Sequence, residues 1–121
     1  MKRKIARSDG LAALHQTLEN PETTPKNTVM TAVRFTLEEL AKLAPGRAVE
    51  VRVPPAGAVQ ILVGTTHRRG TPPAVVETDM HTWLQLVNGE KLWKTAVDEG
   101  AVAASGERAD LGHLLPMRFP K

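Results

Sequence analysis

The spacing of apolar residues changes period along this chain, and each change marks an element. Leu11, Leu14, His15 and Leu18 fall on one side of a helix. Ser8 or Asp9 is placed to cap it, because a short side-chain oxygen accepts from the unpaired N–H groups of a first turn. Asn20-Pro21 ends it. Thr24 as cap and Pro25 at the first helical position start a second, longer helix. Its stripe is Val29, Val33, Leu37, Leu40 and Ala44. Phe35 and Leu43 lie on another side, so two apolar contacts are expected of it. Glu38 and Lys42 are spaced as an outward i,i+4 pair. Pro45-Gly46 closes the helix.

The period then shortens to two. Val49, Val51 and Val53 alternate with Glu50 and Arg52, the pattern of a strand with one buried face. Pro54-Pro55 stops it, and Ala58 to Val63 forms the next strand. A weaker, basic strand is expected over Thr65 to Gly70. Thr71-Pro72-Pro73 then forces an extended turn, and Ala74 to Glu77 is a further strand. Thr78 or Asp79 caps a helix carrying Trp83, Leu84, Leu86 and Val87, stopped at Asn88-Gly89, where a left-handed residue is tolerated. Leu92, Trp93, Ala96 and Val97 make a short helix ended by Gly100. Ala101 to Ala104 is a strand of small residues, Ser105-Gly106 a turn, and Leu111, Leu114 and Leu115 a last helix broken by Pro116. The order predicts an α+β fold: a single five-stranded, mostly antiparallel sheet covered by helices.

Composition narrows the class. A chain of 121 residues is expected to be one domain, 1–121, with residues 1–8 frayed. The absence of cysteine removes disulfides, thiolate nucleophiles and zinc–thiolate sites. Met1-Lys2-Arg3-Lys4 is not followed by an apolar h-region, and no apolar run approaches the ~20 residues of a membrane span. A cytoplasmic protein without stable membrane insertion is expected. The net charge of +3 is mild and gathered largely near the ends, and aromatic residues are 3%. Nucleic-acid binding, which uses basic faces and stacking rings, is therefore not expected.

Several segments carry a family resemblance. Val49-Glu50-Val51-Arg52-Val53-Pro54-Pro55, then Arg69-Gly70-Thr71-Pro72-Pro73 and Val76-Glu77-Thr78-Asp79, occur in that order. Trp83, Gly89, Trp93, Ala96, Gly100 and Val102 follow, and the chain closes on Ser105-Gly106, Arg108-Ala109-Asp110-Leu111 and Leu114-Leu115-Pro116. From about Thr28 to Pro116 the pattern resembles a bacterial branch of the sterol carrier protein superfamily. The resemblance implies a five-stranded sheet packed by helices around an apolar tunnel, with sterols, fatty acids, acyl-coenzyme A or phospholipids as ligands. Related domains also form the tail of thiol-dependent isomerases, whose chemistry belongs to a separate helical domain. Two departures stand out. The ending Phe119-Pro120-Lys121 is not the organelle-targeting tripeptide of many lipid carriers, and Ala101-Val102-Ala103-Ala104 is smaller than a tunnel-lining strand of that family.

Reactive chemistry is sparse. His15, His67, His81 and His113 lack the i,i+4 spacing of a helical zinc pair. Ser105 lacks the Gly-x-Ser-x-Gly context of a nucleophile elbow. Glu38 and Glu39 are adjacent on a helix and diverge by about 100°. No catalytic residue, metal or cofactor is expected, and the chain is read as a non-enzyme. His67, Arg68 and Arg69 are the concentrated internal cations, with Arg68 and Arg69 suited to a lipid headgroup or acyl carboxylate. Phe35, Trp83, Val87, Leu111, Leu114 and Leu115 are the expected walls of an apolar cavity. With Met117 and Phe119, the last three exceed what one short helix needs to bury. The expected function is binding or transfer of a lipid, sterol or fatty-acyl chain. The alternative is an accessory module with a filled cavity, acting as a homodimer or beside a separately encoded enzyme.

Overall fold

The computed structural model describes residues 4–64, 74–106 and 109–120. The elements run α1 (Arg7–Glu19), α2 (Lys26–Leu43), β1 (Val49–Val53), β2 (Gly57–Ile61), β3 (Ala74–Thr78), α3 (Met80–Asn88), α4 (Trp93–Asp98) and β4 (Val102–Ser105). Among the described residues the sheet has four strands in the order β2-β1-β3-β4. It is mixed. β1 pairs antiparallel with β2 and parallel with β3, and β3 pairs antiparallel with β4. Against the expected five-stranded, mostly antiparallel sheet, the described residues form four strands, with β1–β3 parallel and the other two pairs antiparallel. The expected strand over Thr65 to Gly70 lies outside the described residues.

The parallel pair follows from the connection. β2 returns beside β1 through a tight turn, which fills one edge of β1. The chain then reaches the opposite edge, where Val49 faces Ala74 and Val51 faces Val76. A crossover of this length allows a parallel partner, as a tight hairpin does not.

Alternation decides which face is covered. Val49, Val51, Val53, Val59, Ile61, Ala74, Val76 and Thr78 are buried, whereas Arg52, Gln60 and Glu77 are exposed. Glu50 and Arg52 form an ion pair on that polar face, and its hydrogen bond raises the Arg52 pKa further. The helices pack on the apolar face. Val29, Val33, Leu37, Leu40 and Ala44 are all buried, as their spacing requires. Arg34 Nε donates to the Ala56 carbonyl at 2.7 Å and ties α2 to the β1–β2 turn.

Local signals hold best at α3. The Asp79 carboxylate accepts from the Thr82 amide at 2.8 Å, and Gly89 closes the helix at φ 81°. Other start signals fail. α1 begins at Arg7 after Ala6, without a side-chain cap, so Ser8 and Asp9 lie within the helix. Thr24 does not cap α2; its hydroxyl donates to the Asn20 carbonyl at 2.6 Å and closes the α1–α2 turn.

Three further expectations are corrected. Residues 4–8, expected to be frayed, are tied to the fold: α1 begins at Arg7, and the amides of Lys4 and Ile5 donate to the Glu38 carboxylate at 3.3 and 3.2 Å. Glu38 therefore turns inward and is buried, instead of pairing with Lys42 across solvent. β2 ends at Ile61 and not at Val63. Leu62 takes φ 66°, and its amide donates to the Ala44 carbonyl at 2.9 Å, bending the chain onto the end of α2.

The last correction concerns the C-terminus. Leu111, Leu114 and Leu115 lie in a turn and an extended tail, not in a helix. Gly112 disfavours a helix by roughly 0.8–1.0 kcal/mol relative to alanine, and its amide bonds instead to the Asp110 carboxylate at 2.8 Å. Pro116 leaves too few residues to offset helix nucleation.

Candidate functional site

Of the residues expected to wall a cavity, all but Phe35 lie in or against one apolar cluster. Trp83 is fully buried, and its Nε1–H donates to Thr36 Oγ1 at 2.8 Å. The Thr36 hydroxyl lies 2.9 Å from the Val33 carbonyl, so the indole, the hydroxyl and the α2 backbone form one buried chain of polar contacts. A large aromatic side chain buries both its ring and its polar atom this way without leaving a donor unmet. Trp83, Val87 and Leu111 belong to the same core cluster, with Leu114 and Leu115 half-buried against it.

Phe35 occupies a separate position, between α1, α2 and the tail. Its ring is fully buried. A Cβ on Gly10 would stand 2.2 Å from that ring, so α1 can lie this close only because residue 10 has no side chain. The other neighbour is Phe119, whose ring centroid lies 5.5 Å from that of Phe35 at an interplanar angle of 46°. Tilted ring pairs at this separation are favourable beyond their buried area.

The tail that covers these side chains runs from 109 to 120 without regular structure. Leu114 donates to the Leu111 carbonyl at 2.9 Å, Met117 donates to the Val87 carbonyl at 3.0 Å, and His15 Nε2 lies 2.8 Å from the Pro120 carbonyl. Leu111 is its one fully buried side chain among the described residues; Leu114, Leu115, Met117 and Phe119 are half-buried. Its attachment is thus mainly apolar, with backbone bonds at scattered points.

Two concavities open at the surface. One, of about 310 Å³, lies between the start of α1, the end of α2 and the tail, and is lined by Arg7, Glu39, Lys42, Leu43, Met117, Arg118 and Phe119. The other, of about 400 Å³, is lined by Leu62, Asp110, Gly112 and His113. None of the six expected wall residues lines either. Arg68 and Arg69, the expected headgroup cations, lie outside the described residues. The sequence pattern missed Arg7, Lys42, Leu43 and Arg118. Met117 and Phe119 were legible as surplus apolar residues past Pro116, but their position over α1 and α2 was not.

Among the described residues no group of three histidine or acidic side chains is placed to hold a metal ion, and no helix is long and apolar enough to cross a membrane. The Asp79 carboxyl is perturbed. Partial burial opposes its ionisation, but hydrogen bonds from the Thr82 amide and hydroxyl and from its own amide, with the electrostatic attraction of His81, outweigh that, holding its pKa below the usual carboxylate value. This is the signature of a helix cap, since both Thr82 donors belong to the first turn of α3.

Comparison with known proteins agrees with this architecture. A search of curated proteins found no match. The family model described as bacterial SCP ortholog matches residues 25–117, from the start of α2 to Met117 in the tail, leaving α1 outside it. With most of its length so matched, and with helices layered on one face of a mixed sheet, the chain belongs to the bacterial sterol carrier protein family.

Proposed function

We propose that this protein is a non-enzymatic binder of an apolar small molecule, a lipid, sterol or fatty-acyl chain, held between the helices and the C-terminal tail. The observation that carries the reading is the tail. Five large apolar side chains, Leu111, Leu114, Leu115, Met117 and Phe119, cover the helical layer from a segment without regular structure. An element of this kind is displaced more readily than a strand or helix. Its displacement would uncover Phe35, Trp83 and Val87, and a ligand would replace apolar contacts that the tail now makes. Ligand surface leaving water contributes roughly 25 cal/mol per Å², which offsets the tail burial lost. Leu111, Leu114 and Leu115 would then close over the ligand.

Titration of delipidated protein with a fluorescent fatty acid and a fluorescent sterol tests the proposal. Saturable uptake of at least one is the expected result. No uptake of either would count decisively against it.

The burial of Trp83, Val87 and Leu111 within the chain's own core favours a second reading, in which the domain is an accessory module, as a homodimer or beside a separately encoded enzyme. Native mass spectrometry of freshly purified protein separates the two. A bound lipid supports carriage; a ligand-free dimer supports the accessory role.

A further inference from the structure

The groove between α1, α2 and the tail has a charge balance that burial of an apolar ligand alone does not explain. Among the described residues, Arg7, Lys42 and Arg118 line it together with one carboxylate, Glu39. The Glu39 carboxylate is engaged by Arg7 at 2.5 Å. Lys42 and Arg118 make no ion pair with another described residue, because Glu38, one turn before Lys42, is turned inward to the amides of Lys4 and Ile5. Beside these cations, Leu43 is 66% exposed. Met117 and Phe119 continue the apolar surface inward, and Phe119 meets Phe35. Cations at the rim thus lead to aliphatic surface and then to a buried aromatic ring.

We infer that this groove takes the carboxylate end of a single-chain fatty acid. Lys42 and Arg118 hold the head, the first carbons lie on Leu43 and Met117, and displacement of Phe119 admits the rest of the chain against Phe35. The inference rests on the apolar-ligand reading and narrows it to anionic single chains. It also assigns the head to cations other than Arg68 and Arg69. Charge complementarity selects this occupant. An ammonium and a guanidinium bond a carboxylate strongly, whereas a sterol hydroxyl has no charge to match them. A volume of about 310 Å³ suits a head and the first part of a chain, being at the small end of the range of roughly 300–1,000 Å³ found for ligand clefts.

The test compares palmitate with hexadecanol, of equal chain length, both below their aggregation limits, by displacement of a fluorescent fatty-acid probe. Three proteins are used: the unmodified chain, the Lys42→Glu/Arg118→Glu variant and the Arg68→Glu/Arg69→Glu variant. Lys42 and Arg118 are exposed, so their replacement leaves the core intact, and retained hexadecanol binding checks this. The expected result is a loss of about tenfold or more in palmitate affinity for Lys42→Glu/Arg118→Glu, the scale of a lost charge-assisted contact. Hexadecanol affinity stays the same, and Arg68→Glu/Arg69→Glu binds palmitate as the unmodified chain does. Unchanged palmitate binding in Lys42→Glu/Arg118→Glu, equal loss of both probes, or a palmitate loss confined to Arg68→Glu/Arg69→Glu overturns the assignment and leaves the broader proposal standing. If the unmodified chain binds palmitate, hexadecanol and sterol not at all, both fail together.

Discussion

The sheet with α3 and the C-terminal tail bury apolar side chains by opposite means. In the sheet, each buried valine sits in a ladder that also satisfies the backbone, with Val51 between Val59 and Val76. At α3, Trp83 adds a buried hydrogen bond to Thr36. In the tail, residues of similar hydrophobicity lie on an irregular backbone held at a few points, such as the Met117 amide on the Val87 carbonyl. Burial is common to both regions, but backbone satisfaction and cooperativity are not. Regions with sparse backbone bonding open locally at a fraction of the global unfolding free energy. The difference teaches that an apolar residue near the core need not be a fixed part of it.

The largest expected effect lies on the fixed side. Trp83→Ala should destabilise by about 3–5 kcal/mol, the range for loss of a core aromatic. Urea unfolding measures it, and a loss below about 1 kcal/mol would show α3 to be no firmer than the tail. Gly10→Ala comes next. Its Cβ would stand 2.2 Å from the Phe35 ring, and overpacking of this kind costs about 1–3 kcal/mol. Alanine's better helix propensity returns less than that, up to about 1 kcal/mol, so lower stability in thermal melts is expected.

Phe119→Ala addresses the tail directly. The ring is half-buried, so it should cost less than Trp83→Ala. By hydrogen exchange, the Met117 amide should lose protection while the Val51 amide keeps its own. Equal acceleration at both sites would mean that the tail and sheet open as one unit.

Asp79→Ala has a smaller effect, about 1 kcal/mol, as for loss of an N-cap. Its pH dependence has a defined sign. The folded-state pKa of Asp79 is depressed, so the stabilisation is present above the unfolded value of about 3.9. It is lost as pH falls through the lower folded value. Stability of the two proteins should therefore converge in acid, and a difference that grows there would contradict the cap. The smallest effect is Lys94→Ala, which removes an exposed i,i+4 pair with Asp98 at 2.7 Å, worth about 0.3–0.5 kcal/mol.

What could be read along the chain was local. The stripe of α2, the alternation of β1, the Asp79 cap and the Gly89 stop each depend on neighbours within a turn or a strand pair, and each stands where its pattern places it. The site was legible as a set of residues but not as an arrangement. Trp83 and Phe35 were marked as large and apolar, yet Trp83 is bound to Thr36 and Phe35 lies under Phe119. The Leu111–Leu115 spacing suggested a helix because hydrophobic period does not register that Gly112 prefers the Asp110 carboxylate.

The sequence by itself determined the order of elements from α1 to β4, the buried faces of α2, β1 and α3 and the lack of thiol chemistry, because side-chain periodicity and residue type are properties of short segments. Only the tertiary structure decided the parallel β1–β3 pair, the inward turn of Glu38, the closeness of α1 to Phe35 and the laying of the tail over the helices. These join residues far apart in the chain. Their free energy comes from surfaces that meet only once the fold has formed, and no local pattern carries it.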